Sequence, residues 1–182
     1  MDLDAVFDLK CKRRSDINEH LPTLKRYASE CDHITEMGVR GIVSTYGLLA
    51  GRPKTMVSID INHPTIVGGD FELLEQVTKD TKVDFTFIVA DTRSIDIEET
   101  DLLFIDTYHS YGQLKAELAR HADKAKKYII LHDTVTFGYT DMGGVGGPGL
   151  MPALHEFIAA NPEWCIQEHF DNNNGLTVVS RT

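Results

Sequence analysis

The chain has 182 residues, 18 Lys and Arg against 28 Asp and Glu, and a formal charge of −10. That acid excess disfavours a nucleic-acid backbone or an anionic membrane as partner, because both would be repelled. An apolar share of 42% and a charged share of 25% describe a globular chain long enough for one sizeable core.

The three cysteines, Cys11, Cys31 and Cys165, are far apart and form no CxxC pair, which fits reduced thiols better than a disulfide framework or a zinc cluster. The first residues are acidic where a secretory leader needs positive charge, and no apolar run is long enough for a bilayer. A cytoplasmic protein is expected. The local cluster Lys10, Lys12, Arg13 and Arg14 reads as a solvated face ahead of a helix.

In chain order, Ser15 caps a predicted helix toward Glu30, with Ile17, Leu21, Leu24 and Ala28 on one face. Residues 1–30 are thus an N-terminal helical extension. Predicted strands follow at His33–Glu36, Thr55–Asp60, Asp84–Ala90, Leu102–Asp106 and Tyr128–His132, with helices at Gly41–Ala50, Asp70–Lys79 and His109–Lys126 between them. The stretch Ile95–Thr100 is too short and acidic for a helix. After the Gly-rich stretch Gly143–Gly149, a helix at about Pro152–Ala160 precedes strands Trp164–His169 and Leu176–Ser180, joined by the turn signal Asp171–Gly175. This rhythm predicts one α/β domain over 1–182: a doubly wound, Rossmann-like sheet, mostly parallel, with a C-terminal antiparallel hairpin.

Ligands of such sheets bind at the carboxyl ends of the strands, and those ends carry Glu36, Asp60, Asp91, Asp106 and His132-Asp133. The first constellation is Glu36-x-Gly38-x-x-Gly41, with Ser44 in the helix that follows. Asp60 lies at the next strand end, where an acid commonly binds ribose, and Asp91 is placed to meet a base. A dinucleotide site would have glycine where Glu36 stands, and a carboxylate there would repel a pyrophosphate. The same carboxylate would attract the ammonium and sulfonium of S-adenosylmethionine. The second constellation is Asp106, His109, His132 and Asp133, on two adjacent strand ends, where hard carboxylates suit Mg²⁺.

Together Glu36-x-Gly38-x-x-Gly41, Phe104-Ile-Asp106-x-x-His109-x-Tyr111, His132-Asp133 and Asn174-Gly-Leu-Thr-Val resemble class I S-adenosylmethionine-dependent methyltransferases, in the group of macrocin-type sugar O-methyltransferases and so-called cephalosporin hydroxylases. The resemblance covers about residues 30–182. It implies O-methylation of a small hydroxylated, sugar-like acceptor. It also implies a divalent metal held by Asp106 and the pair His132-Asp133, and His109 as general base. The group has an acid where this chain has His132, so Mn²⁺, Fe²⁺ or Zn²⁺ compete with Mg²⁺. Gly143–Gly149 can close over such a site. Three alternatives stay open: a non-heme iron oxygenase using Asp106, His109 and His132, a non-catalytic S-adenosylmethionine-binding module, and an NAD-linked enzyme. Homo-oligomerisation stays open as well.

Overall fold

In the computed structural model, residues 2–144 and 147–182 are described. Seven strands form one sheet in the order β3-β2-β1-β4-β5-β7-β6. They are β1 His33–Met37, β2 Thr55–Asp60, β3 Asp84–Val89, β4 Thr100–Ile105, β5 Ala125–His132, β6 Trp164–Phe170 and β7 Leu176–Arg181. The first five pair in parallel, and β7 inserts antiparallel between β5 and β6. The expected doubly wound sheet with a terminal hairpin is therefore present. Asn173, Asn174 and Gly175, at φ 44, 71 and 94°, turn the hairpin through the left-handed region, which Asn and Gly enter more easily than other residues.

Strand alternation divides the core between two faces. Ile34, Met56, Leu102, Phe104 and Ile130 pack with α1 (Leu3–Lys12), α2 (Leu21–Ala28), α3 (Ser44–Leu49) and α4 (Phe71–Thr81). Met37, Leu103, Ile105 and Leu131 pack with α5 (Tyr111–His121) and α6 (Leu150–Ala160). Residues 90–99 link β3 to β4 without a helix, as the acidic stretch there suggests. No helix among the described residues is long and apolar enough to cross a membrane.

The N-terminal expectation needs correction. The helix begins at Leu3, where Asp2 Oδ1 accepts from Ala5 N at 2.8 Å, and it ends at Lys12. Ser15 caps nothing that continues. Its N–H donates to Asn18 Oδ1 at 2.9 Å while Asn18 Nδ2 reaches back to Cys11 O at 2.9 Å, so Asn18 fastens a loop. The helix restarts as a 3-10 turn at Asn18–His20 and then as α2, with Pro22 in its first turn, where a missing N–H costs nothing. Helix α3 is shorter than expected because Arg40 and Ile42 are left-handed, at φ 45 and 58°. Strand β5 starts at Ala125 rather than Tyr128, since Ala125 pairs with Thr100.

Candidate functional site

The sheet order reverses between β1 and β4, and the crevice expected at such a switch point is present. It holds a cavity of about 440 Å³ lined by Gly38, Asp60, Asp91, Thr92, Asp106 and Gln113, among others. Three strand ends shape it. Gly38, at φ 86°, donates its N–H to Ile59 O at 2.9 Å. Asp60 Oδ2 accepts from Val39 N at 2.8 Å and Arg40 N at 2.9 Å, so this carboxylate pins the glycine turn as well as facing the cavity. Asp91 is gripped by Arg93 through Nη2 at 2.8 Å and Nε at 3.1 Å, and the hydrogen bond from that guanidinium lowers its pKa.

Behind three of the residues that line the cavity lies a group that sequence reading missed. Glu117 is fully buried and accepts from Thr92 Oγ1 at 2.5 Å, Gln113 Nε2 at 2.7 Å and Thr107 Oγ1 at 2.8 Å. Burial pushes its carboxyl up against the pull of those three donors. All three donors line the cavity. The one available signal was a glutamate at position 117, beside the apolar stripe of Leu114 and Leu118, with Gln113 one turn before it.

Glu36, Gly41 and Ser44 do not line this cavity. Position 36 shares a strand face with Ile34, so its side chain turns under α3. There it is 0% exposed and accepts from Ser44 Oγ at 2.6 Å, Ser58 Oγ at 2.6 Å and Thr45 Oγ1 at 2.9 Å. The direct contact with a ligand cation expected of Glu36 is replaced by a structural role for both Glu36 and Ser44. Burial outweighs the three hydroxyls and raises the Glu36 carboxyl to about 7.

That shift has a definite sign. The proton is held more tightly folded than unfolded, so the contribution of Glu36 to stability is full below about 4.5 and is lost as pH rises through 7. Relative to Glu36→Gln, the wild type should lose on the order of 3 kcal/mol between those limits. Urea denaturation at pH 4.5, 6 and 8 checks this, and parallel pH profiles for the two proteins would refute it.

At the ends of β4 and β5 a second group converges. His109 Nε2 lies 3.0 Å from Asp106 Oδ1 and 3.1 Å from Asp133 Oδ2. One ligand atom from each of Asp106, His109 and Asp133 falls within 4.8 Å of the others. Asp133 is itself left-handed, at φ 60°, a conformation aspartate tolerates better than most residues. The His109 ring stacks on Phe137, with centroids 4.9 Å apart and planes 3° from parallel.

His132 completes the group. Its Nε2 faces two backbone carbonyls, Asp16 O and Asn173 O, each at 3.1 Å. Carbonyls only accept, so Nε2 carries a proton and Nδ1 is the nitrogen turned toward Asp106 Oδ1 and Asp133 Oδ2, at 3.4 Å from each. Burial opposes charge on His132, but Asp106 and Asp133 overcome it and raise its pKa; a cation bound at the two acids would displace the Nδ1 proton. Burial likewise opposes ionisation of Asp106, and the two histidines outweigh it, holding this carboxyl well below the ordinary range.

The donor set fits a divalent cation. Asp133 Oδ1 is buried without a hydrogen-bond partner among the described residues, as befits a carboxylate oxygen that would give its lone pair to a metal. A nitrogen whose partner N–H is fixed by backbone carbonyls, as in His132, is the usual arrangement of a histidine ligand. The expected closing segment Gly143–Gly149 includes Val145 and Gly146, which lie outside the described residues.

No family model matches the chain, and no curated protein matches it. Solved structures do. An O-methyltransferase from Bacillus cereus, solved in complex with SAH, superposes with a TM-score of 0.68 at 16% identity, over 99% of this chain and 90% of that one. TomG from Streptomyces achromogenes, an O-methyltransferase involved in tomaymycin synthesis and solved with SAM, gives 0.66 at 15%, over 93% and 82%. The SAH-bound methyltransferase PaMTH1 from Podospora anserina gives 0.62 at 16%, over 99% and 87%. The chain has the Rossmann-like methyltransferase fold.

Proposed function

We propose that the chain is an S-adenosylmethionine-dependent, metal-assisted O-methyltransferase for a small hydroxylated, sugar-like acceptor. One observation carries this reading: Asp106 lines the switch-point cavity and also belongs to the acid–imidazole group beside it. A nucleoside in the cavity and an oxygen at the acids would therefore be neighbours. The methyl-donor-bound and product-bound neighbours of the same fold support the choice of donor.

Asp60 and Gln113 face the cavity with acceptor and donor atoms suited to a ribose and a base, and Gly38 lets the backbone approach closely. Asp106, Asp133 and His132 Nδ1 would hold the metal, with Mg²⁺ favoured by the two carboxylates and softer cations by the imidazole. When bound, such a cation lowers the pKa of an acceptor hydroxyl and fixes its direction. His109 Nε2 faces both acids and donates to them, so it would serve as base only once a cation takes those carboxylates and frees its lone pair for the acceptor hydroxyl; its stack on Phe137 keeps the ring aimed.

The grouping within 4.8 Å favours a second assignment, in which His109 ligates and does not accept the proton. One nitrogen cannot do both at once. His109→Ala should cut turnover ~10²–10⁴-fold and leave metal content near the wild-type value, read by elemental analysis after dialysis. Loss of the metal in that variant would establish the ligand role.

Donor binding tests the reading without knowledge of the acceptor. S-adenosylhomocysteine should bind in calorimetry and NAD should not. Asp60→Asn should weaken binding by ~1.5–3 kcal/mol through loss of a charge-assisted hydrogen bond. Unchanged affinity in that variant, or tight NAD binding, would overturn the assignment of the cavity.

A further inference from the structure

A second cavity, also about 440 Å³, opens between α1, residues 41–43 and the start of α4. Its charge runs against that of the molecule. In a chain of net charge −10, Lys10, Arg13 and Arg14 all line it, against one acid, Asp70. Asp70 is already engaged, with its Oδ1 accepting from Leu73 N at 3.0 Å at the start of α4. Every other arginine near this face has a carboxylate: Arg40 pairs with Asp16 and Arg52 with Asp4. Lys10, Arg13 and Arg14 take part in no ion pair among the described residues.

The remaining walls are apolar, with Leu9, Val43 and Val67 prominent and Leu9 and Val67 more than half exposed at the rim. Lys10 is half-buried, over the Tyr46 ring at 5.2 Å. Burial and the repulsion of Arg13 both lower its pKa, with only Asp70 opposing. Cations in the last turn of α1 do complement the helix dipole, an effect of ~0.3–1 kcal/mol. That accounts for basic residues on α1 but not for an apolar hollow beneath them. Lys10, half-buried beside apolar surface, carries a desolvation cost that an anion would offset, and Arg13 and Arg14 add exposed charge at the mouth.

We propose that this cavity binds a small organic anion, a carboxylate or phosphate carried on a short apolar body. The head would meet Lys10, Arg13 and Arg14, and the body would lie against Val43 and Val67. The proposal does not rest on methyl transfer, and Gly41 is a residue of this cavity rather than of the nucleoside cavity.

The test uses the full chain without methyl donor, titrated in calorimetry with hexyl phosphate, hexanoate, inorganic phosphate and hexylammonium. Saturable one-to-one binding of hexyl phosphate or hexanoate, at least tenfold tighter than inorganic phosphate and absent for hexylammonium, is expected. Which of the two binds identifies the head group. The double variant Arg13→Gln/Arg14→Gln should weaken it at least tenfold with an unchanged thermal midpoint, and Val67→Glu should do the same from the apolar side. S-adenosylhomocysteine should not compete, which keeps this outcome separate from the fate of the methyltransferase reading. No saturable anion binding, equal binding of hexylammonium, wild-type affinity in both variants, or competition by S-adenosylhomocysteine would each overturn the proposal.

Discussion

Asp106→Asn is expected to lower methyl transfer by about 10³-fold or more while S-adenosylhomocysteine still binds. The size follows from what the side chain does in the proposed site. It contributes one of two carboxylates to the cation, and Lewis-acid assistance amounts to several kcal/mol of transition-state stabilisation, each 1.36 kcal/mol being tenfold in rate. Asparagine keeps the shape but removes the charge. It also removes one of the two carboxylates that face His132 Nδ1. Release of S-adenosylhomocysteine over a panel of small polyhydroxylated acceptors reads the rate, and calorimetry reads donor binding. Thorough chelation should bring the wild type to the level of the variant. Full activity after chelation would mean that Asp106 and Asp133 serve hydrogen bonding alone.

The sheet was readable because parallel strands buried on both faces are written as unbroken apolar runs. Leu102–Asp106 and Tyr128–His132 fall inside β4 and β5 or within one residue of their ends. The N-terminus was not readable in the same way. A serine ahead of an apolar stripe looks like a cap, but the Asn18 side chain takes the Ser15 N–H and the Cys11 carbonyl, and no local pattern announces such a clasp. In the site, residues at strand ends were visible because unpaired acids do not belong in cores. What sequence could not resolve was how deep each one lies. Glu36 lies one residue inside the end of β1 and Asp60 at the end of β2, on one face of the sheet; an offset of two residues along that face buries Glu36 under α3 and leaves Asp60 at the cavity. Glu117 was hidden for the opposite reason. A glutamate on a helix is ordinarily solvated, and only the fold carries Thr92 and Thr107 to it.

Gly38→Ala should be among the most damaging single substitutions in the chain, for a reason independent of any ligand. A β-carbon at this position would stand 2.0 Å from the carbonyl oxygen of Asp106 and 2.5 Å from its carbonyl carbon. Both are backbone atoms of the neighbouring strand end, so no rotamer change relieves the overlap. The φ of 86° adds a conformational penalty that glycine alone avoids. The β1 and β4 ends are also tied by Asp106 N donating to Met37 O at 2.8 Å, so they cannot separate without losing that bond. A loss of more than ~3 kcal/mol in stability is expected, measured as the urea midpoint. Any protein that still folds must move the Asp106 backbone, and a displacement near 1 Å costs roughly 10²-fold in rate. Gly41→Ala gives the contrast. Nothing lies within 4 Å of a β-carbon there and its φ is not positive, so its midpoint should stay within ~0.5 kcal/mol of the wild type. Similar midpoints for the two variants would mean that the approach of Gly38 to Asp106 does not set the geometry of the switch point.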